Sequence, residues 1–203
     1  MFTGRAESCI RAAKEDFAAA LARYRQCGVE LPTEAHEHTY PTGKSGYYAA
    51  ACWGASRLFA YTGEQAYADI AREFGSLLLA CQETGDAGIG ITGFFYREEE
   101  HRYAVHHNHQ SREHLFMQAL CALAETQPSH KEHPLWDAAI RLYAGYLKDI
   151  YAEAAPYGMI PAGIYHEDEG ENEELFRRTN PGSDYERERP NYRLQVRAGR
   201  PLG

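Results

Sequence analysis

A chain of 203 residues, 44% of them hydrophobic, is long enough to bury one sizeable core. The net charge is −8 and no basic stripe is present, so no nucleic-acid partner is expected. No run approaches the ~20 uncharged apolar residues of a membrane span, and the charged N-terminus MFTGRAESCIRAAKEDF is unlike a signal peptide. A cytoplasmic protein with no membrane partner is expected, unless a leader has been lost upstream. Nine acidic and four basic residues between His166 and Pro190 concentrate the excess charge there. The five cysteines, Cys9, Cys27, Cys52, Cys81 and Cys121, are odd in number and form no CxxC pair. They read as buried free thiols in a reducing compartment.

Five helices follow in chain order. The first, from about Arg5 to Cys27, has an apolar stripe of Ile10, Ala13, Phe17, Ala20, Leu21 and Tyr24. Gly28 is placed to stop it. The second, from about Ser45 to Tyr61, is uncharged from Tyr47 to Ser56 and is expected to be buried on all sides. The third, from about Glu64 to Gln82, is amphipathic, with Tyr67, Ile70, Ala71, Phe74, Leu77, Leu78 and Cys81 on one face. The fourth, from about Ser111 to Thr126, is uncharged from Leu115 to Ala124 and again predicts burial all round. The fifth, from about Leu135 to Ala154, is amphipathic, with Trp136, Ala139, Ile140, Tyr143, Tyr146, Leu147 and Ile150 on one face.

This alternation is an internal repeat. The stripe beginning at Tyr67 maps onto that beginning at Trp136 with a displacement of 69. Phe59–Thr62 maps onto Leu123–Thr126 with a displacement of 64. Buried helices inside and amphipathic helices outside fit a toroid of α/α hairpins better than a plain bundle. A superhelical solenoid of helix pairs is the structural rival. The predicted class is all-α: an incomplete α/α-hairpin toroid of about two and a half hairpins over residues 1–166. An acidic and Arg-rich loop or tail follows over 167–203, with few apolar positions.

Turns within hairpins are short, whereas the connections Gly28–Lys44, Glu83–Gln110 and Ala155 onward are long. Antiparallel hairpins send all the long ones to the same end, where function usually resides. Most of the ten histidines lie in these connections. His36 and His38 are in the first, and His101, His106, His107 and His109 in the second. The second also carries Asn108 and runs into Arg112, Glu113 and His114. Tyr157, Tyr165 and His166 are in the third. His130 and His133 belong to the opposite end. Asp86 sits in a Gly-rich turn and is either a turn residue or a carboxylate held at the mouth. Arg112 and Glu113 equally suit an ion pair bracing the helix start. Tyr47, Tyr48, Phe94, Phe95 and Tyr96 suit stacking on sugar faces, or the core. The pairs His36-x-His38 and His107-x-His109 lack both helical i, i+4 spacing and an obvious completing carboxylate, so no metal is expected. The acidic run Glu167–Glu174 lacks the alternating ligands of a calcium loop. No cofactor is expected.

Three stretches resemble the six-hairpin glycosidase superfamily. They are the hairpin YYAAACWGASRLFAYTGEQAYADIAREFGSLLLAC, the segment GITGFFYREEEHRYAVHHNHQSREHLFMQALCALAE, and PYGMIPAGIY. The resemblance covers about residues 5–166. It implies a toroidal, carbohydrate-active domain with its site in the loop-rich funnel. Six hairpins would need about twice this length, so the chain is expected to be a fragment. Its open edge would then favour self-association or a missing C-terminal half.

The resemblance implies a glycoside hydrolase-like domain acting on an oligo- or polysaccharide. Hydrolysis needs two carboxylates. Asp86 is the first candidate, with Glu34 and Glu113 behind it, and the second acid is expected in the missing half. His109 is the candidate catalytic imidazole. His36, His38, His107, Asn108, Arg112, Tyr157 and Tyr165 would bind the sugar. One alternative is a polysaccharide lyase, with His109 or His107 as base, Tyr157 or Tyr165 as acid, and Asn108 with Arg112 neutralising a uronate. Another is a non-catalytic helical-hairpin module whose histidines only brace loops.

Overall fold

The computed structural model describes residues 3–29, 43–85, 92–101, 104–105, 114–153, 164–166 and 194–196. Its body is helical: α1 (Thr3–Cys27), α2 (Gly43–Thr62), α3 (Gln65–Leu79), α4 (His114–Thr126) and α5 (His133–Glu153). Two three-residue strands, β1 (Ile164–His166) and β2 (Leu194–Val196), pair in parallel, with Tyr165 opposite Gln195. Both lie where the sequence suggests only loop or tail.

The helix ends follow local chemistry. Gly28 (φ 72°) stops α1, and its amide donates to Tyr24 O at 2.7 Å. Gly63 (φ 70°) ends α2 in the same way, through Phe59 O at 2.8 Å. The third helix stops three residues short of the expected Gln82. The amides of Cys81 and Gln82 tighten onto Leu78 O and Leu79 O, and Gln82 then pairs with Phe95 across an antiparallel bridge.

The repeat is visible in three dimensions. Thr62 Oγ1 donates to Leu58 O at 2.8 Å, and Thr126 Oγ1 donates to Ala122 O at 2.7 Å. The displacement of 64 between α2 and α4 therefore holds. For the outer pair the register is 68 rather than 69. Of the buried residues of α3, Ala68, Ala71, Gly75 and Leu78 fall on buried Trp136, Ala139, Tyr143 and Tyr146 of α5, and Phe74 alone falls on a half-buried residue, Leu142. The helix starts, Gln65 and His133, keep the same spacing. Adjacent positions on a broad apolar stripe share a face, so hydrophobicity alone allowed either register.

The second helix packs on α3 and on α4, and α5 packs on α4. Phe74, fully buried on α3, meets the rings of Tyr24, Tyr47 and Tyr48. At Gly75 an added Cβ would lie 2.5 Å from Leu123 Cδ2, so the missing side chain lets α3 lie close against α4. Burial of α2 and α4 is not all round. Ala50 and Trp53 (42% exposed) open one side of α2, and His114, Gln118 and Glu125 open one side of α4. The uncharged runs arise because three sides are covered and the fourth carries Ala, Trp or Gln instead of charge.

All five thiols are free. Cys52 and Cys81 are buried as expected, but Cys9 and Cys27 are exposed on α1 and Cys121 is intermediate. The correction on α1 reflects its packing by one narrow stripe, which leaves most of its circumference in water.

Gly93 (φ 98°) lies against the Leu142 carbonyl, which a Cβ would strike. Gly93→Ala should lower unfolding free energy by more than about 2 kcal/mol, from left-handed strain and backbone overlap together. Gly145, inside α5 with open space around it, should gain about 1 kcal/mol on replacement by Ala. Urea titration checks both. In the native protein, iodoacetamide should modify Cys9 and Cys27 first. Burial pushes the Cys52 and Cys81 thiols up to about 12, so both should react about 100-fold more slowly or worse. Peptide mass mapping over time reads the order.

Candidate functional site

The start of α2, the end of α3 and the start of α4 lie at one end of the hairpins. Gly75 lies against Leu123, and Gln127 Nε2 donates to Ala68 O at 3.2 Å. These contacts run α4 antiparallel to α3. The described parts of the connection after α3, residues 80–85, 92–101 and 104–105, are hydrogen-bonded to one another at this end. Tyr96 N donates to Cys81 O (2.7 Å), Glu83 N to Phe94 O (2.9 Å), Gly93 N to Glu83 O (2.7 Å) and Val105 N to Phe95 O (2.8 Å). Gln82 Nε2 donates to Gly93 O and Ala139 O, both at 3.0 Å, and so ties the connection to α5.

Asp86, His107, Asn108, His109, Arg112, Glu113, His36, His38 and Tyr157 all lie outside the described residues. Tyr165 is placed by its backbone in β1. The chain on either side of most of these residues is placed, however. Residues 86–91 leave from Gly85 and return at Thr92, and residues 106–113 connect Val105 to the first turn of α4. Residues 30–42 enter α2. Three of the segments chosen from sequence are therefore anchored at the same end. The aromatic residues are not available for stacking on sugars. Tyr48, Phe94, Phe95 and Tyr96 are buried, and Tyr47 is half-buried and stacked on Tyr24 at 4.9 Å. Phe95 packs on Phe116 and Tyr143, so this connection is part of the core.

Three further groups occupy this end. Glu83 is 1% exposed, and its carboxylate accepts from Tyr96 OH (2.7 Å) and Gly85 N (2.6 Å). Glu99 accepts from Tyr48 OH (2.5 Å) and Lys44 Nζ (3.3 Å), and Lys44 also reaches Glu100 (3.4 Å). His101 stacks on Tyr96 with ring centroids 4.2 Å apart, and its Nε2 is 2.7 Å from Ala80 O. The run REEEH that holds Glu99 and His101 carried no recognised spacing in the sequence. Only its position in a histidine-rich connection drew attention to it.

The electrostatics set the roles. Burial alone would raise the Glu99 pKa. The Tyr48 hydroxyl, the amide of Glu99 and the Lys44 ammonium outweigh burial and hold the carboxyl below its usual range. Burial and the neighbouring Glu99 push the Tyr48 phenol up, so it remains a donor at neutral pH. The end thus holds an ionised, half-buried carboxylate clamped by two donors, which can accept a proton or stabilise positive charge. Among the described residues no group of three or more His, Cys, Asp or Glu could hold a metal ion. No helix of the described residues is long and apolar enough to cross a membrane.

No protein-family model, curated protein or solved structure matches the chain.

A lowered carboxyl pKa stabilises the fold above the unfolded value of about 4.3 and loses that contribution as pH falls through the folded value. The difference in unfolding free energy between wild type and Glu99→Gln should therefore be about 1 kcal/mol near neutrality and shrink below pH ~4. Parallel urea titrations across that range would show it. A difference independent of pH would refute the clamp.

Proposed function

We propose that the chain is a glycoside hydrolase-like, carbohydrate-active domain built on an incomplete α/α-hairpin toroid, with its saccharide site at the loop end. One observation carries this reading. Two helical hairpins repeat along the chain, and the placed flanks of the connections around them lie at a single end. In such a toroid α2 and α4 are the inner helices. Their exposed stripes, Ala50 and Trp53 on one and His114 and Gln118 on the other, would then turn toward the axis. A neutral face with an exposed indole suits stacking on a pyranose ring. Asp86, leaving the turn that Glu83 braces, is the first carboxylate for hydrolysis. Glu99 is an ionised second carboxylate at the same end. His107, His109 and Arg112 enter α4 from this end and would orient sugar hydroxyls or a uronate.

The test is to incubate the full chain with uronate-containing and neutral polysaccharides and measure both reducing ends and the ultraviolet absorbance of unsaturated uronates. Release of reducing ends without that absorbance is expected. Asp86→Asn and His109→Ala should each slow it by about 100-fold or more. Product that absorbs would replace hydrolysis with β-elimination by the same end. Neither product nor binding would leave a helical-hairpin interaction module.

A further inference from the structure

His101 differs from every other described residue in its backbone. It is the only non-glycine among them with a positive φ, 57°. An L side chain seldom adopts that region, and it persists only where the surroundings enforce it. Here they do. Its amide donates to Glu98 O at 3.2 Å, closing the acidic turn. Glu99 and Glu100 in that turn are tied to α2 through Lys44 and Tyr48. One face of the imidazole lies on Tyr96 with an interplanar angle of 14°, and Tyr96 is fixed by Glu83. The residue is nevertheless exposed.

The tautomer follows from the partner. A carbonyl oxygen can only accept, so the Nε2 that sits 2.7 Å from Ala80 O carries the proton. In the neutral ring Nδ1 is therefore a bare acceptor. The pin to Ala80 uses one nitrogen, and the other is held in place at the loop end with its lone pair available. Strain, stacking and a fixed tautomer are more than loop closure requires, because glycine or asparagine would close the same turn more easily.

We propose that His101 binds saccharide by accepting a hydrogen bond from a sugar hydroxyl at Nδ1. This rests on the carbohydrate-active reading above and gives a role to a histidine that the sequence places in the second connection without one. An acceptor nitrogen recognises a hydroxyl as donor, so the occupant is a hydroxyl-bearing ring of an oligosaccharide next to the clamp formed by Glu99 and Lys44.

Two substitutions separate this role from a purely structural one. His101→Gln places a side-chain amide where Nε2 now meets Ala80 O, but offers no acceptor at the Nδ1 position. His101→Asn tolerates positive φ and places an oxygen near Nδ1, but gives up the Ala80 pin. Binding of oligogalacturonate and of xylo-oligosaccharide by the full chain is measured calorimetrically, with melting temperature as the control. The expected result is about tenfold weaker binding in His101→Gln, the size of one lost hydrogen bond, and near wild-type binding in His101→Asn. Wild-type binding by His101→Gln, or weaker binding in His101→Asn than in His101→Gln, overturns the proposal and leaves a structural pin. Nitrogen-15 spectra of the unliganded protein give a second readout, and a proton on Nδ1 overturns the proposal whatever the sugars do. If the wild type binds neither probe and releases no product from any polysaccharide, the carbohydrate reading fails and this inference fails with it.

Discussion

The loop end depends on the way residues 92–96 lie back along residues 81–83. Three backbone hydrogen bonds zip Cys81, Glu83, Gly93, Phe94 and Tyr96 together. The Gln82 amide then joins the zip to α5. With that register fixed, Phe94 and Phe95 face inward onto Tyr146, Phe116 and Tyr143. A connection that buries three consecutive aromatic residues behaves as part of the core. It carries the stiffness of the core to the turn that follows, where Glu99 and His101 are held. Positioning acidic and imidazole groups on a segment with so little freedom lowers the entropy lost when a ligand is bound.

Much of the helical framework was legible in the residues. Apolar spacing located all five helices, and Gly28 marked an end because only a residue without Cβ enters the left-handed region cheaply. The inner repeat was legible because Thr62 and Thr126 lie at matching places. Less legible were the open sides of α2 and α4. Ala50, Trp53 and Gln118 carry no charge, so an exposed stripe made of them looks like a buried one. The outer register was misplaced by one residue for a related reason, since Tyr67 and Ala68 border the same broad stripe.

The site was legible at the level of segments more than side chains. Loop length and antiparallel pairing put the histidine-rich connections at one end, and their anchored flanks are found there. What spacing could not convey was the division of labour inside the second connection. Phe94, Phe95 and Tyr96 had the composition of a sugar platform, yet they serve packing, because a strip zipped to Cys81 and Glu83 has an inner face to fill. Conversely, Glu99 had the look of an ordinary charged loop, and His101 of one loop histidine among several. Their significance comes from partners more than 20 positions away in sequence, namely Tyr48 and Ala80.

The first helix has a different standing from the rest. It touches the body by a narrow stripe around Phe17, Leu21 and Tyr24, reinforced by ion pairs at the surface, Lys14 with Glu64 and Arg25 with Glu73. Such pairs contribute little in water. The remaining helices share fully buried side chains, so they should open as one cooperative unit, whereas α1 can detach at a fraction of the global cost. Its amides would then exchange with solvent early and as a group. Detachment would uncover Phe74 and the outer flank of α2, which makes α1 a cover over the hairpins that the molecule can shed without unfolding.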